Sequence, residues 1–413
     1  MRKRAIRLLM IVPYFPPDRG PIPTMYGGLA SDLAQAYKEV LVITGQPNYA
    51  SGVKRSSKLY QIERTGKEKI VRVFVPKLNR ENVCSRLAAI LTYNLLGAAY
   101  VLFAADSDVA LMTNPALEVW LIALIVRLKG IPFHYRVHDL YPEIAVRLGF
   151  LRRKSLLARA IERIERFCLK SAGTVSVVTA SFQAFLGAKG IDQGKLTVVP
   201  DWVDTVQLCN LPKKNMFSRR HNLAEKFVIG YGGNIGRSQG LDVLMEAASL
   251  LSDQREIVFL IVGEGAKKLE LMSLCHSRKL ENVIFMPYQP DEILREVYAT
   301  WDVGFVSLIP GLSPEWRTAK IFSIMASSRP VLAATDLGGE VHKAIEKTAC
   351  GICIQSGNAT NLAHTIREMF ANRDQLAALG ANGRQAVERN YSRKLCTQRL
   401  ESLVACLVTS PHL

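Results

Sequence analysis

Twelve short apolar runs, six in each half of the chain, alternate with amphipathic stretches, and this alternation restricts the fold more than any other feature. The first half carries them at Ile6–Val12, Glu39–Thr44, Ile70–Val75, Asp108–Met112, Pro132–Val137 and Thr174–Val178. The pattern restarts at Phe227–Tyr231, Glu256–Val262, Val283–Met286, Val303–Ser307, Pro330–Ala333 and Gly351–Ile354. Runs that are apolar at successive positions, rather than at alternate ones, read as strands buried on both faces, and the helical stretches between them supply the cover. Such a succession predicts an α/β fold with parallel sheets. At 413 residues the chain is longer than one growing core allows. Two Rossmann-like domains in tandem, of about 200 residues each, are therefore expected.

The net charge of +17 is unevenly placed: residues 1–205 hold 29 Lys/Arg against 16 Asp/Glu, whereas residues 206–413 hold 24 against 20. A basic first half suits an anionic membrane surface or a phosphorylated ligand. Nucleic acid fits less well, because no helix-turn-helix, zinc-finger or RNA-binding aromatic signature accompanies the charge. The opening MRKRAIRLLMIVPYF imitates a signal peptide, but it lacks a small-residue cleavage site and runs into a Pro-rich loop, as a first buried strand would. Eight cysteines form no framework, and the C-x-x-C at Cys350 and Cys353 has no second pair for zinc, so free thiols in a reducing cytoplasm are expected. Leu87–Ala105 has the length of a membrane span but is interrupted by Tyr93, Asn94 and Gly97, which leaves a buried, an interfacial and a spanning helix open. Leu151–Lys170 alternates basic and apolar residues at helical spacing, as a membrane-facing or a plain solvated helix would.

Polar and glycine residues cluster where predicted strands end, which is where ligands bind in open α/β sheets. After the first strand come Tyr14-Phe15-Pro16-Pro17-Asp18 and then Gly27-Gly28 ahead of a helical run, glycines whose backbone N–H groups can approach a sugar or phosphate closely. His138-Asp139 end the strand Tyr135–Val137, and a neutral imidazole beside a carboxylate can offer one fixed hydrogen bond to a sugar hydroxyl. Gly230-Tyr231-Gly232-Gly233-Asn234-Ile235-Gly236-Arg237-Ser238-Gln239-Gly240 joins a strand to a helix in the manner of a phosphate cradle. Its spacing is not Gly-x-Gly-x-x-Gly, which counts against a dinucleotide. Gly263 and Tyr288 follow the next two strands, and Glu315 precedes an amphipathic helix containing Lys320 and Ser323.

The stretch PEWRTAKIFSIMASSRPVLAATDLGGEV (Pro314–Val341) resembles the donor-site block of family 4 retaining glycosyltransferases of the GT-B fold, with Glu315, Phe322, Met325-Ala326 and Pro330-Val331 in the family frame. Tyr14–Asp18 and Thr44–Tyr49 are similar to the subgroup that builds colanic acid, O-antigen and other bacterial surface polysaccharides. The resemblance implies two Rossmann-like domains with parallel sheets facing across a cleft. Residues 1–205 would bind the acceptor, 206–391 the nucleotide-sugar donor, and a terminal helix within 392–413 would cross back to the first domain. It further implies that Glu315 meets the donor hexose and that His138 and Asp139 line the sugar site. Gly233, Asn234, Arg237 and Gln239 would face the diphosphate, with Lys320 in support, and Gly263 and Tyr288 the base. Asp18, Gly27 and Gly28 would lie on the acceptor side. Two departures stand out. Ser323 occupies the place of the family's second Glu, and Asn234 and Gln239 replace its Arg and Lys, which leaves Arg237 as the expected main cation.

The expectation is thus a retaining hexosyltransferase that uses no metal or other cofactor, since the nucleotide-diphosphate sugar is a substrate. It would act at the inner membrane face on a polyprenyl-diphosphate-linked or other glycan acceptor. Two alternatives share the fold: a weakened pseudo-transferase that binds membrane or partner, motivated by Ser323, and a sugar-nucleotide 2-epimerase, which needs cleft acids and histidines not found here.

Overall fold

The computed structural model describes residues 6–18, 20–48, 55–77, 83–312 and 318–409. The chain divides into two compact units, Met1–Pro200 with Cys396–Leu413, and Asp201–Leu395.

In the first unit, strands β1 (Arg7–Ile11), β2 (Glu39–Gly45), β3 (Tyr60–Thr65), β4 (Glu68–Val73), β5 (Val109–Thr113), β6 (Phe133–Val137), β7 (Thr174–Val177) and β8 (Leu196–Val198) form one sheet in the order β3-β4-β2-β1-β5-β6-β7-β8. The β3–β4 pair is antiparallel and the others are parallel. Leu9 pairs with Leu41 on one side and Ala110 on the other, and all three are buried. Two strands escaped the sequence reading. β3 is a polar edge strand, YQIERT, with half its residues exposed, and β8 is only three residues long; neither has the continuous apolar run by which a buried strand announces itself.

In the second unit, β9 (Phe227–Gly232), β10 (Ile257–Val262), β11 (Val283–Met286), β12 (Val303–Ser307), β13 (Val331–Thr335) and β14 (Gly351–Gln355) form an all-parallel sheet ordered β11-β10-β9-β12-β13-β14. All six coincide with the apolar runs of the second half. Cys353 lies on β14, so the C-x-x-C is part of a strand and not of a redox helix.

Each sheet has one place where successive strands depart in opposite directions, between β1 and β5 in the first and between β9 and β12 in the second. The loops leaving the carboxyl ends of such a pair diverge to opposite faces and open a crevice, the usual ligand position in open α/β sheets.

The helix Val83–Ala104 resolves the ambiguity of the apolar run. It is long and apolar enough to cross a membrane, yet one face is built into the core. Tyr93 donates its hydroxyl to the Ile43 carbonyl (3.0 Å), Asn94 donates to Leu117 O (3.1 Å) and accepts from Leu121 N (3.1 Å), and a Cβ on Gly97 would strike Ile122 at 2.6 Å. The residues that interrupt the hydropathy are the ones that dock the helix. Its other face leaves Leu87, Leu91 and Leu95 exposed. The basic stretch forms the helix Leu156–Ser171, started by Ser155, whose hydroxyl accepts from Ala158 N. The last helix, Arg393–Thr409, joins the first unit from Cys396 onward, where Leu407 packs on Gly173 and the Leu403 carbonyl accepts from the Thr174 hydroxyl.

Candidate active site

The second unit concentrates its polar groups at the β9/β12 switch point. β9 ends in Gly232, and the loop runs through Gly233 and the exposed Asn234 to a short 3-10 turn, Arg237–Gln239. Neighbouring strand ends fix this loop: Gly233 N donates to Val262 O (2.9 Å), Ile235 N to Glu264 O (2.9 Å), and Ile309 N, just after β12, to Ser238 O (3.1 Å). The glycines divide the work. A Cβ on Gly230 would fall inside the Trp301 ring, so Gly230 makes room for a core tryptophan and not for a ligand. Gly233 has φ 132° and Gly263 φ 159°, and a Cβ on Gly263 would lie 1.8 Å from the Gly233 carbonyl oxygen, so the β9 and β10 loops touch backbone to backbone.

Lys320 reaches into this loop from the helix Lys320–Ala326. Its Nζ donates to Gln239 Oε1 (2.8 Å), lies 5.5 Å from the centre of the Tyr231 ring, and its side chain passes where a Cβ on Gly233 would sit. Gln239 is buried, and the Tyr231 hydroxyl donates to Asn234 O (2.6 Å). Among the described residues Lys320 has no carboxylate partner, and burial lowers its pKa to about 8. Arg237, by contrast, is exposed. The two candidate cations of this loop thus differ in burial, Lys320 being half-buried and Arg237 exposed, a difference that residue type alone does not reveal. Ser323 lies one helical turn beyond Lys320, with its hydroxyl bonded to that of Tyr298, and Tyr288 is close enough to raise the pKa of both Tyr231 and Tyr298. Glu315 lies outside the described residues.

The first unit places His138 and Asp139 just after β6. Asn114, which follows β5, accepts from His138 N (2.8 Å) and Asp139 N (3.4 Å) and donates to the Asp139 carbonyl, so one side chain sets the turn. The imidazole is buried, and its Nε2 pairs with the Tyr26 hydroxyl at 2.8 Å. Tyr26 was not singled out from sequence; it is aromatic on a helical stretch and looks like core. Gly27 and Gly28 do not lead into a helix but lie within the helix Pro21–Ala36, and Gly27 lets the Pro16 ring approach to where its Cβ would be, 2.6 Å from Pro16 Cγ. The helix starts earlier than expected because Gly20, at φ 129°, turns the chain into it. Asp18 is buried, and its carboxylate accepts from Asn48 N (2.9 Å), tying the loops after β1 and β2 together.

Two carboxyls unnoticed in the sequence lie at the same sheet edge. Glu118, in the turn Ala116–Glu118 after β5, accepts from the Tyr14 hydroxyl (3.2 Å). Glu165 accepts from Ala116 N (3.2 Å) and the Tyr135 hydroxyl (3.1 Å). Burial raises both to about 7. Glu165 also lines a partly open depression with Val137, Asp139, Tyr141, Phe185 and Lys189. In a linear sequence an isolated Glu on a helix reads as surface; only packing reveals otherwise.

Two parallel-sheet α/β units with their polar groups at switch points define the GT-B class, and structural likeness agrees. A sucrose-phosphate synthase from Thermosynechococcus elongatus superposes with a TM-score of 0.76 over 98% of this chain and 100% of its own at 17% identity. Anabaena HepE, solved in complex with UDP and glucose, gives 0.74 over 97% and 100% at 16% identity. Residues 23–202 match the glycosyl transferase 4-like domain and residues 213–386 the family described as glycosyl transferases group 1. The chain is 27% identical over 340 residues to a probable glycosyltransferase, WbjE, of Pseudomonas aeruginosa, covering 80% of this chain and 82% of that one. A putative colanic acid biosynthesis glycosyl transferase, WcaI, of Escherichia coli K12 is 24% identical over 59% of this chain and 61% of its own. The chain belongs to the family 4 glycosyltransferases, and it is a glycosyltransferase.

Proposed function

We propose that the chain transfers a hexose, with retention, from a nucleotide-diphosphate sugar to a polyprenyl-diphosphate-linked glycan during surface-polysaccharide assembly, working as a peripheral protein on the inner membrane face. The observation that carries the donor half of this reading is Lys320, a half-buried cation with no carboxylate partner among the described residues, set against the Gly232-Gly233 loop at the switch point. An uncompensated buried charge is costly unless a ligand pairs with it. A diphosphate matches it in sign, and Gly233, lacking a side chain of its own, leaves room for the Lys320 stem to lie against the loop. The polysaccharide context rests on relatives such as the colanic acid enzyme.

In this reaction the bond between the sugar's anomeric carbon and the diphosphate oxygen breaks while one to an acceptor hydroxyl oxygen forms on the same face. The hydroxyl proton passes to the departing diphosphate oxygen, so position matters more than a strong base. Lys320 stabilises the negative charge that develops on the leaving group, and no metal is required in this reading. Glu315 and His138, the latter fixed by Tyr26 and Asn114, would orient the hexose, and Tyr288 would stack on the base.

Thermal unfolding of the purified protein with UDP, GDP, TDP and their sugars tests the reading. At about 100 times its Kd a cognate nucleotide stabilises by about 2.7 kcal/mol, which corresponds to a rise in Tm of about 5–10 °C for a unit of this size. A folded protein that responds to none of them sinks the transferase and leaves the partner-binding alternative standing.

A further inference from the structure

Glu118 occupies an unusual position for an acid. The first sheet divides between β1 and β5. Tyr14 follows β1, Glu118 follows β5, and the Tyr14 hydroxyl donates to Glu118 Oε1 at 3.2 Å, so this one hydrogen bond clasps the two loops that part at the switch point. The second carboxyl oxygen, Oε2, is buried and has no hydrogen-bond partner among the described residues. Arg86 and Tyr93 face the carboxyl from the helix Val83–Ala104, Tyr14 from the β1 loop and Tyr141 from the β6 loop. No element of the fold needs an acid here. A Gln would keep the Tyr14 bond, and an apolar side chain would fill the space without an unmade hydrogen bond.

An unsatisfied acceptor at a switch point is a position for a ligand's donor. We propose that Glu118 Oε2 accepts a hydrogen bond from a hydroxyl of the acceptor sugar, with Tyr14 holding the carboxyl from its other oxygen, so that Glu118 and Tyr14 form an acceptor subsite in the first unit. The inference rests on the glycosyltransferase reading and adds the residues that select the acceptor. A carboxylate is suited to this task because it only accepts, and a sugar hydroxyl must donate to it. Asn114 links the subsite to the sugar-facing turn, since it immediately precedes the Glu118 turn and holds His138 and Asp139 by their backbone. Burial raises the Glu118 carboxyl to about 7, so the acceptor form is the ionised one, and a hydroxyl that donates to it should be held more tightly as pH rises through 7.

The test uses the full-length protein with its nucleoside diphosphate present. Binding of p-nitrophenyl glycosides of hexoses, 6-deoxyhexoses and N-acetylhexosamines is measured by titration, and nucleotide binding is measured separately by calorimetry. At least one glycoside should bind the wild type. Glu118→Ala should weaken it by about 10-fold or more, as loss of a hydrogen bond to a charged group does, Glu118→Gln by less, and nucleotide affinity should stay the same in both. Glu118→Gln keeps the Tyr14 bond and should leave Tm unchanged, whereas Glu118→Ala loses that bond; if Glu118→Ala does not fold, the isosteric Glu118→Gln carries the comparison. Glycoside binding unchanged in the variants, or nucleotide binding with no glycoside bound to the wild type, overturns the subsite alone. Absence of both nucleotide and glycoside binding overturns the transferase reading and the subsite with it.

Discussion

The two sheets share a topology at their switch points and differ in the charge that the loops deliver there. Between β9 and β12 the chain supplies a half-buried lysine, interlocked glycines and tyrosines, with no carboxylate against the lysine among the described residues. Between β1 and β5 it supplies the Glu118 carboxyl, held by Tyr14, and the helix Leu156–Ser171 adds Glu165, held by Tyr135 of β6 and by Ala116 N; both have raised pKa. A duplicated scaffold leaves the position of a ligand to topology and its chemistry to the few side chains at the strand ends. On the proposed function the lysine end would take the anion, and the carboxyl end a hydrogen-donating partner such as a sugar hydroxyl rather than a phosphate.

The largest expected effect breaks this comparison from the anionic side. Lys320→Ala should weaken nucleotide-sugar binding by about 100-fold, the value of a buried charge-assisted contact. Arg237→Ala, at an exposed position, should cost no more than about 5-fold. Calorimetry on the two variants decides the order, and a greater loss at Arg237 would return the diphosphate to the residue that the sequence favoured. From the acidic side, Glu165 has a folded pKa of about 7 against an ordinary value of 4.5. The folded state then holds the proton more tightly than the unfolded chain, so this group's contribution to stability falls as pH rises from about 4.5 to about 7. Glu165→Gln should remove that slope and raise stability at pH 8 by on the order of 2 kcal/mol. Urea unfolding at pH 5 and pH 8 measures it; parallel wild-type and variant profiles would mean that Glu165 is ionised in the fold at no cost.

The sequence was most legible where burial writes itself into continuous apolar runs. All six strands of the second sheet and six of the eight in the first were readable this way, while the polar edge strand β3 and the three-residue β8 were not. The candidate site was legible as positions and less so as contacts. Gly233, Gly263 and His138-Asp139 do fall just after the carboxyl ends of β9, β10 and β6, as their sequence context suggests. Nothing in the sequence told that Gly230 serves Trp301, that Gly27 lies inside a helix, or that Tyr26 holds the imidazole. The ranking of Lys320 over Arg237 and the importance of Glu118 and Glu165 depend on desolvation, which arises from residues distant in sequence and leaves no local pattern.

The smallest expected effect concerns what lies beside the acidic switch point. Leu87, Leu91 and Leu95 are 52%, 56% and 51% exposed, spaced four apart on one face of the helix Val83–Ala104, and that stripe carries no charge of its own. Arg86 is exposed in the helix's first turn, and Arg152, Arg153 and Lys154 are exposed between the apolar Phe150 and Leu156. Exposed leucines and exposed cations in the same unit suit an anionic lipid surface. Tyr93 fastens the opposite face to β2, and Asn94 and Gly97 fasten it to the turn and helix after β5, so a helix packed in this way would lie on a bilayer rather than span it. Leu91→Ser should therefore reduce co-sedimentation with phosphatidylglycerol vesicles by about 5-fold, the equivalent of about 1 kcal/mol for partial burial of one leucine, without lowering Tm. Added salt should weaken wild-type binding further, through the basic residues. Equal binding to neutral and anionic vesicles would remove the charges from the contact, and unchanged binding of Leu91→Ser would remove the helix.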